Sequence, residues 1–371
     1  MACISSKQIP QELIDRIINE LHDNRKSLES CKSVCWAFRS PAEAVLFRRV
    51  SFDSYRSGDL SRLFESSPHV FSSIREVTFN ETVYTSVDAV RALAMLSILR
   101  IRCMTWFPDS YRIPAEVISA FATLPIRTLV LEEVIFRDIV HFSSFMDTFL
   151  GVEDISFKHV YCNLVSKNDN PPVSPRTNFI QSLELSVNEI SSNVLRMVAD
   201  GRLGSLTKLH SLTCVGSPKG KEILPLLSLV QNPSLQYLKV EGDIPVVNLS
   251  HINTLVIHLT NENLDESDDL ITSFKSWTDC FAGAEELSLK KLLILLDLTH
   301  RISADAAKQW VMLDKVLLAS RFPELTSLRV KLKAPAWIDV EQAKELIQSN
   351  SPTLCTWNVC TWEVEASNED R

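Results

Sequence analysis

The chain has 371 residues, of which 45% are hydrophobic and 23% charged, and its formal net charge is −8 at pH 7. This length exceeds one ordinary hydrophobic core, so we expect a small module joined to a large or repetitive domain. The negative charge argues against a general nucleic-acid-binding protein, and the longest apolar stretch, Leu292 to Leu298, is too short to span a membrane and is interrupted by Asp297.

The first predicted element is a module of three helices between Gln8 and Val50. Pro10 suits the opening turn of its first helix, which continues with apolar residues at helical spacing: Leu13, Ile14, Ile17, Ile18 and Leu21. The second helix, with Ser27 as its predicted N-cap, is indicated by Leu28, Cys31, Val34, Cys35 and Phe38. The third is predicted to begin at Ser40, with Pro41 at its first position and Glu43 in capping-box spacing.

These helices carry more aliphatic side chains than about forty residues can bury among themselves. We therefore expect another surface to cover part of them. That surface is either the core of the following domain or a partner protein.

The motif Ile9-Pro10-x-Glu12-Leu13-Ile14-x-x-Ile17-Ile18-x-x-Leu21, followed by Leu28, Cys31, Val34-Cys35 and Leu46-Phe47, resembles an F-box, particularly the kind found in large fungal families. The resemblance covers residues 7–51. It implies that this module docks on the adaptor subunit of an SCF-type (cullin–RING) ubiquitin ligase. The adaptor-binding residues it implies are Ile9, Pro10, Leu13, Ile14, Ile17, Leu21, Leu28, Cys31, Val34, Cys35 and Phe38.

Residues 52–70 are predicted to hold a linker, Asp53 to Gly58, and a capping helix, Leu60 to Glu65. From residue 71 to 364 the phrase apolar-x-x-apolar-x-apolar recurs, mostly at intervals near the roughly 20–29 residues of leucine-rich repeats. It begins at Ile74, Ile98, Ile126, Val152, Ile180, Leu209, Leu235, Ile252, Ala284, Leu325 and Leu354. Residues 365–371 are expected to form a disordered acidic tail.

Helical patterns lie between the phrases, at Val87–Ser97, Ala115–Thr123, Ile139–Leu150, Val194–Ala199, Asp268–Phe281, Asp305–Ser320 and Val340–Gln348. A repeated strand and helix predicts an α/β solenoid whose parallel sheet curves into a horseshoe. The chain here resembles an irregular leucine-rich-repeat domain. The long step after Ala284 must hold an insertion or a further strand, for which Leu292–Leu298 is the candidate.

Alternation along the predicted strands decides which side chains face away from the core. The outward set comprises Arg100, Arg102, Asp154, Lys158, Tyr237, Lys239, Glu241, His258, Glu286, Lys290, Ser327, Arg329 and Lys331. Its C-terminal half is the more basic, and the residues proposed to bind a target protein are Tyr237, Lys239, His258, Lys290, Arg329 and Lys331. An ordinary polar sheet face is the alternative interpretation.

Nine cysteines, an odd number, favour reduced thiols over a disulfide framework. The pairs Cys31/Cys35 and Cys355/Cys360 do not have the spacing of a zinc site, so no metal is predicted. The acidic run from Glu262 to Asp269 is interpreted as a solvated loop that leads into a helix, with a partner site as the alternative.

The sequence shows no catalytic motif of the GxSxG, HExxH, P-loop or GxGxxG type. An enzyme on a repeat scaffold would need a pocket of convergent titratable groups, and no such pattern is present. The resemblance therefore implies a non-catalytic substrate receptor, without a cofactor, that joins the SCF adaptor, and through it a cullin, to an unknown protein substrate. The alternative is a cullin-independent interaction scaffold.

The N-terminus lacks the apolar run of a signal peptide, so a cytoplasmic or nuclear location is expected.

Overall fold

The computed structural model describes residues 9–367 except residues 53–58, 82–84, 107–114, 165–178, 188–189, 217–222, 243–247, 261–266, 284–286, 299–303, 318–321 and 336. The predicted linker Asp53–Gly58, the first part of the acidic run, Glu286 and residues 368–371 of the predicted tail lie outside this description. The chain divides into two units, residues 1–152 with 162–171, and residues 153–161 with 172–371.

The first unit opens with three helices, α1 (Gln11–Glu20), α2 (Arg25–Val34) and α3 (Trp36–Leu46). Their core contains Ile14, Ile18, Leu28 and Ala42. These four side chains are at most 3% exposed. The module therefore has a small core of its own.

Three predicted details of the module were wrong. The second helix, α2, ends at Val34, so Cys35 lies outside it and Phe38 belongs to α3. The cap of α2 is Asn24, whose Oδ1 accepts the backbone N–H of Ser27 at 3.0 Å, so Ser27 lies within the first turn. The third helix begins at Trp36, directly after Cys35 in extended backbone, and Pro41 lies inside it. A proline in a helix interior is unfavourable because it removes a backbone hydrogen bond, and the sequence therefore pointed to a later start.

The rest of the first unit alternates strands and helices. Its strands are β1 (Arg49–Phe52), β2 (Glu76–Asn80), β3 (Ile98–Trp106) and β4 (Thr128–Asp138), which pair in parallel in chain order. Its helices are α4 (Asp59–Ser66), a 3₁₀ helix (Pro68–Ser73), α5 (Val87–Arg91), α6 (Ala115–Ala122) and α7 (Ile139–Met146). The predicted helix at Leu60–Glu65 is confirmed as α4.

The second unit continues the same alternation. Its strands are β5 (Asp154–Leu164), β6 (Ser182–Ser186), β7 (Ser211–Val215), β8 (Tyr237–Glu241), β9 (Thr254–Thr260), β10 (Lys291–Asp297), β11 (Ser327–Pro335) and β12 (Cys360–Ser367). Its helices are α8 (Ser192–Ala199), α9 (Ile223–Val230), α10 (Ser267–Ala282), α11 (Ala304–Val316), α12 (Val340–Asn350) and α13 (Pro352–Thr356). Each strand pairs in parallel with the next one along the chain. The predicted α/β fold of parallel strand–helix repeats is confirmed.

The predicted strand positions need correction near the C-terminus. The candidate strand Leu292–Leu298 is confirmed as β10, whereas Leu287 and Leu289 are buried in the segment before it. Leu354 lies in α13, and the last strand follows it at Cys360. That strand runs to Ser367, three residues into the predicted tail.

Candidate functional site

The helical module leaves a row of apolar side chains exposed along α1. Ile9, Leu13 and Ile17 are 55%, 51% and 47% exposed. Leu13 and Ile17 are four residues apart and lie on one side of α1, and Ile9 lies just before Pro10, the N-cap of that helix. We call these three residues the module row.

The other residues predicted to contact the adaptor divide by burial. Ile14 and Leu28 belong to the module core, and Leu21, Cys31 and Phe38 pack against that core. Pro10, Val34 and Cys35 are exposed. The structure therefore gives the buried members a role in holding the helices together and leaves the exposed members available for contact.

Trp36 is an exposed aromatic residue that sequence reasoning did not include. Its side chain is 77% exposed, and the guanidinium of Arg39 lies 5.7 Å from its ring centroid. It helps to line a groove of about 560 Å³ between α1 and α3, together with Gln11, Asp15 and Pro41. The sequence signal for Trp36 was an aromatic residue directly after the Val34-Cys35 pair of the F-box-like motif. Aromatic residues are enriched at protein interfaces, so this one was a candidate contact residue.

An ion-pair cluster around Glu43 stabilises the helical module. One carboxylate oxygen of Glu43 lies 3.1 Å from both Lys32 Nζ and Arg39 Nε, and the other lies 3.5 Å from His69 Nε2. Burial raises the pKa of the Glu43 carboxyl, but the hydrogen bonds from Lys32 and Arg39 lower it by more. Glu43 thus links α2, α3 and the 3₁₀ helix.

A second candidate surface lies on the second unit, where the outward side chains of β8 to β12 form what we call the strand face. Strand register places Lys239, Val256, Leu293 and Arg329 in one row across β8 to β11. The next row towards the carboxyl ends of the strands holds Glu241, His258, Leu295 and Lys331. On β8 to β11 the side chains that alternate with these residues point inward and are almost fully buried.

The predicted target-binding residues do not all share one environment. Tyr237 and Lys239 are half-buried on β8, and burial raises the pKa of the Tyr237 hydroxyl. His258 Nδ1 lies 3.1 Å from Glu241 Oε2, and this hydrogen bond lowers the pKa of the Glu241 carboxyl although burial opposes it. Lys331 pairs with Glu365, and this hydrogen bond raises the pKa of the Lys331 ammonium.

The position of Lys290 corrects the predicted face. Lys290 lies one residue before β10, and its Nζ is 3.9 Å from a carboxylate oxygen of Glu324. The strand residue opposite Thr254 and Ser327 is instead Lys291, which is exposed. Lys291 was not among the predicted outward residues because the predicted strand began a few residues too early.

Two absences concern only the part of the chain that the structure describes. Within it, no group of three or more His, Cys, Asp or Glu residues is arranged to hold a metal ion. Likewise, none of the described helices has the length and apolar character needed to cross a bilayer.

No protein-family model and no curated protein matches the chain. Among solved structures, it is similar to a chain from the crystal structure of the Rad7 and Elc1 complex in yeast, with a TM-score of 0.38 and 16% identity over 88% of this chain and 94% of that one. It is also similar to an internalin from Listeria monocytogenes, with a TM-score of 0.33 and 14% identity over 98% of this chain and 94% of that one. At these TM-scores neither likeness carries a conclusion about function.

Proposed function

We propose that the chain is the substrate-recognition subunit of an SCF-type ubiquitin ligase. In this proposal residues 7–51 dock on the adaptor subunit, which connects the chain to a cullin. Residues 71–364 hold the protein that is to be modified. The proposal rests on the F-box-like motif, and the observation that supports it best is the exposure of the module row, Ile9, Leu13 and Ile17.

The module row is suited to a protein interface because of its spacing. Leu13 and Ile17 present an apolar strip on α1, and such strips on a helix are typical anchors for a partner groove; Ile9 adds an exposed apolar side chain just before the helix. Fully burying one aliphatic side chain is worth about 1.5–3 kcal/mol, so three half-exposed ones supply about 3 kcal/mol. Trp36 adds a large aromatic surface on the same module.

The proposed role needs no chemistry from this chain. A receptor raises the local concentration of the target's lysines near a charged ubiquitin carrier, which other subunits hold. A target-binding surface and an adaptor-binding surface on one chain are sufficient. No cofactor is required.

The test is a double substitution in the module row. Leu13→Ala with Ile17→Ala should weaken adaptor binding more than tenfold, because two truncated aliphatic side chains in an interface cost about 2–3 kcal/mol. The measurement is calorimetric titration of the full chain with purified adaptor. Ile14 is not part of the test because it is buried, and its truncation would disturb the fold itself.

The matched control is a pair of exposed apolar residues outside the module, Leu224→Ala with Met312→Ala. This control should bind the adaptor like the wild type. Equal adaptor binding by the Leu13/Ile17 variant and the wild type would rule out the proposed docking surface. Recovery from cells of complexes that contain the adaptor but no cullin would instead identify a cullin-independent scaffold.

A further inference from the structure

We propose that the amino-terminal half of the strand face binds an extended peptide with the pattern acidic–x–apolar–x–acidic, laid across β8 to β11. This inference rests on the proposed function, because the peptide would be a segment of the target protein. The surface is formed by Lys239, Val256, Leu293 and Arg329, with Lys291 beside them.

The charges on the strand face are segregated along the strands. The acidic residues Glu241, Asp297, Glu363 and Glu365 all lie on the carboxyl-terminal half. Asp297 has Lys333 as its partner there and Glu365 has Lys331, whereas Glu241 is hydrogen-bonded to the His258 ring and Glu363 has only a 3.9 Å contact with Arg329 at the border. Lys331 and Lys333 therefore offset part of the negative charge of the carboxyl-terminal half.

The amino-terminal half carries cations that have no close carboxylate partner among the described residues. Lys239 and Lys291 form no ion pair with any other residue that the structure describes, although the charge of Lys239 helps to lower the pKa of the nearby Glu241 carboxyl. Arg329 is 59% exposed, and its only carboxylate contact among the described residues is the long one of 3.9 Å to Glu363. This local positive charge opposes the net charge of −8 on the whole chain, so the surface attracts an anionic segment rather than a basic one.

Apolar side chains separate the two ends of the cationic row. Val256 and Leu293 occupy the two central strands of the row, between Lys239 on β8 and Arg329 on β11. Val256 is 6% exposed, and Leu293 is half-buried. An aliphatic side chain placed above them would contact Leu293 and the edge of Val256. The charged ends of Lys239 and Arg329, on either side, would stay in water.

Strand spacing sets the spacing of the peptide. Neighbouring strands lie about 4.8 Å apart, so Lys239 and Arg329, three strands apart, are separated by roughly 14 Å. An extended peptide advances about 3.3–3.4 Å per residue, and its residues i, i+2 and i+4 point to the same side. Acidic groups at i and i+4 therefore reach Lys239 and Arg329, and residue i+2 lies over Val256 and Leu293.

The experiment uses fluorescent peptides and the purified full chain. The matched peptide carries Glu-Ala-Leu-Ala-Glu between Gly-Ser flanks, and a peptide of the same composition carries Ala-Glu-Glu-Leu-Ala. Fluorescence polarisation should show at least tenfold tighter binding of the matched peptide. Binding should also weaken at least fivefold when salt rises from about 50 to 300 mM, because these charges are partly exposed.

Two variants on β11 form a matched pair. Arg329→Glu and Lys333→Glu each reverse one outward cation and each remove one 3.9 Å ion pair. Arg329→Glu should weaken binding at least tenfold, whereas Lys333→Glu should change it less than twofold. Lys239→Glu and Leu293→Asn should resemble Arg329→Glu, and thermal melts should show that all four variants are folded.

The inference would be overturned if the two peptides bound equally, or if no peptide bound at about 1 mM. It would also be overturned if Arg329→Glu and Lys333→Glu weakened peptide binding equally, or if single-stranded RNA bound more tightly than the matched peptide. The adaptor titration distinguishes this failure from failure of the proposed function. A chain that binds adaptor but no peptide retains the proposed function without this inference. A chain that binds the matched peptide but no adaptor contradicts the proposed function alone.

Discussion

Glu43 shows how one side chain can hold several elements of the module in place. Its carboxylate is only 12% exposed and contacts three basic side chains from α2, α3 and the 3₁₀ helix. The basic partners are themselves 38–64% exposed, so each pair is weakened by solvent. The value of the cluster lies in joining elements that are distant in sequence.

The lowered pKa of Glu43 predicts how stability depends on pH. A carboxyl whose pKa falls on folding stabilises the protein above its ordinary value of 4.5, and this contribution is lost as pH falls through the lower folded value. Glu43→Gln should cost about 1 kcal/mol in urea unfolding at pH 7. The difference from the wild type should shrink as pH is lowered below 4.5.

The control for that prediction is Glu29→Gln. Glu29 pairs with Arg25 at 3.0 Å, but both side chains are more than half exposed. Its substitution should change stability by no more than about 0.5 kcal/mol. A cost for Glu43→Gln that stayed constant from pH 7 to pH 3 would contradict the electrostatic explanation.

Backbone conformation at single residues explains one wrong prediction. The strand pattern placed Cys103 in the core, but Cys103 has a φ of 53° and is exposed. Glu133, at the equivalent place in the next strand, has a φ of 57°, and its carboxylate accepts a hydrogen bond from the Cys103 thiol at 3.0 Å. That bond raises the pKa of the Cys103 thiol to about 11. No residue type in the sequence signals this left-handed turn, because glycine and asparagine are the usual markers.

Among the elements, α3 depends on a contact from α1. Pro41 has no N–H to donate to the carbonyl of Ala37, four residues earlier in the helix. The side-chain amide of Gln11 donates to that carbonyl at 3.3 Å. A side chain on one helix therefore replaces the backbone bond that is missing in another, which explains how a proline is accommodated inside α3.

A double-mutant cycle tests this replacement. Gln11→Ala should cost about 1 kcal/mol in the wild-type background, because it leaves the Ala37 carbonyl without its donor. In a Pro41→Ala background the restored backbone N–H serves that carbonyl, and the same substitution should cost less than half as much. Gln11 also donates to Asp15 at 2.8 Å, and this loss is common to both backgrounds and cancels. Additive effects in urea unfolding would contradict the explanation.

The repeating elements could be recognised from sequence more securely than their register. The apolar phrase fits two overlapping positions in two repeats near the C-terminus. The pattern favours a strand at Ala284-Leu287-Leu289, but the strand β10 corresponds to Leu289-Leu292-Ile294. It also favours a strand that starts at Leu354, but β12 corresponds to Trp357-Cys360-Trp362. All the leucines in the first pair of phrases are buried, so hydrophobicity alone cannot distinguish a strand from the turn before it.

The candidate surfaces were predictable to a similar extent. The motif indicated the exposed members of the module row as well as the buried Ile14, because a helical period shows one apolar face but not how much of it the other helices cover. On the strand face, alternation correctly marked Lys239 and Arg329 as outward residues. The segregation of charge became visible only with the register, since it depends on which residues of distant repeats lie side by side.

At the scale of the whole molecule, the order of strands determines how far a local change is felt. In the second unit each strand from β6 to β11 pairs with its predecessor and its successor in the chain. Stability in such a fold is approximately a sum of nearest-neighbour terms. A defect at the C-terminal end should therefore affect β12 and β11 most and decrease towards β8.

Asp314 provides such a defect at a defined place. Its carboxylate, in α11, is 5% exposed and accepts the backbone N–H groups of Leu354 at 2.7 Å and Thr353 at 3.2 Å, in the first turn of α13. Asp314→Ala leaves the buried N–H of Leu354 without a partner, which should cost about 1–3 kcal/mol. Hydrogen exchange should become faster in α13 and β12, less so in β11, and little in β9.

The control is Asp339→Ala, which removes the cap of α12 at Gln342 and should affect mainly that helix. If exchange accelerated equally from β6 to β12, the unit would be unfolding as one cooperative block, and the nearest-neighbour description would be wrong.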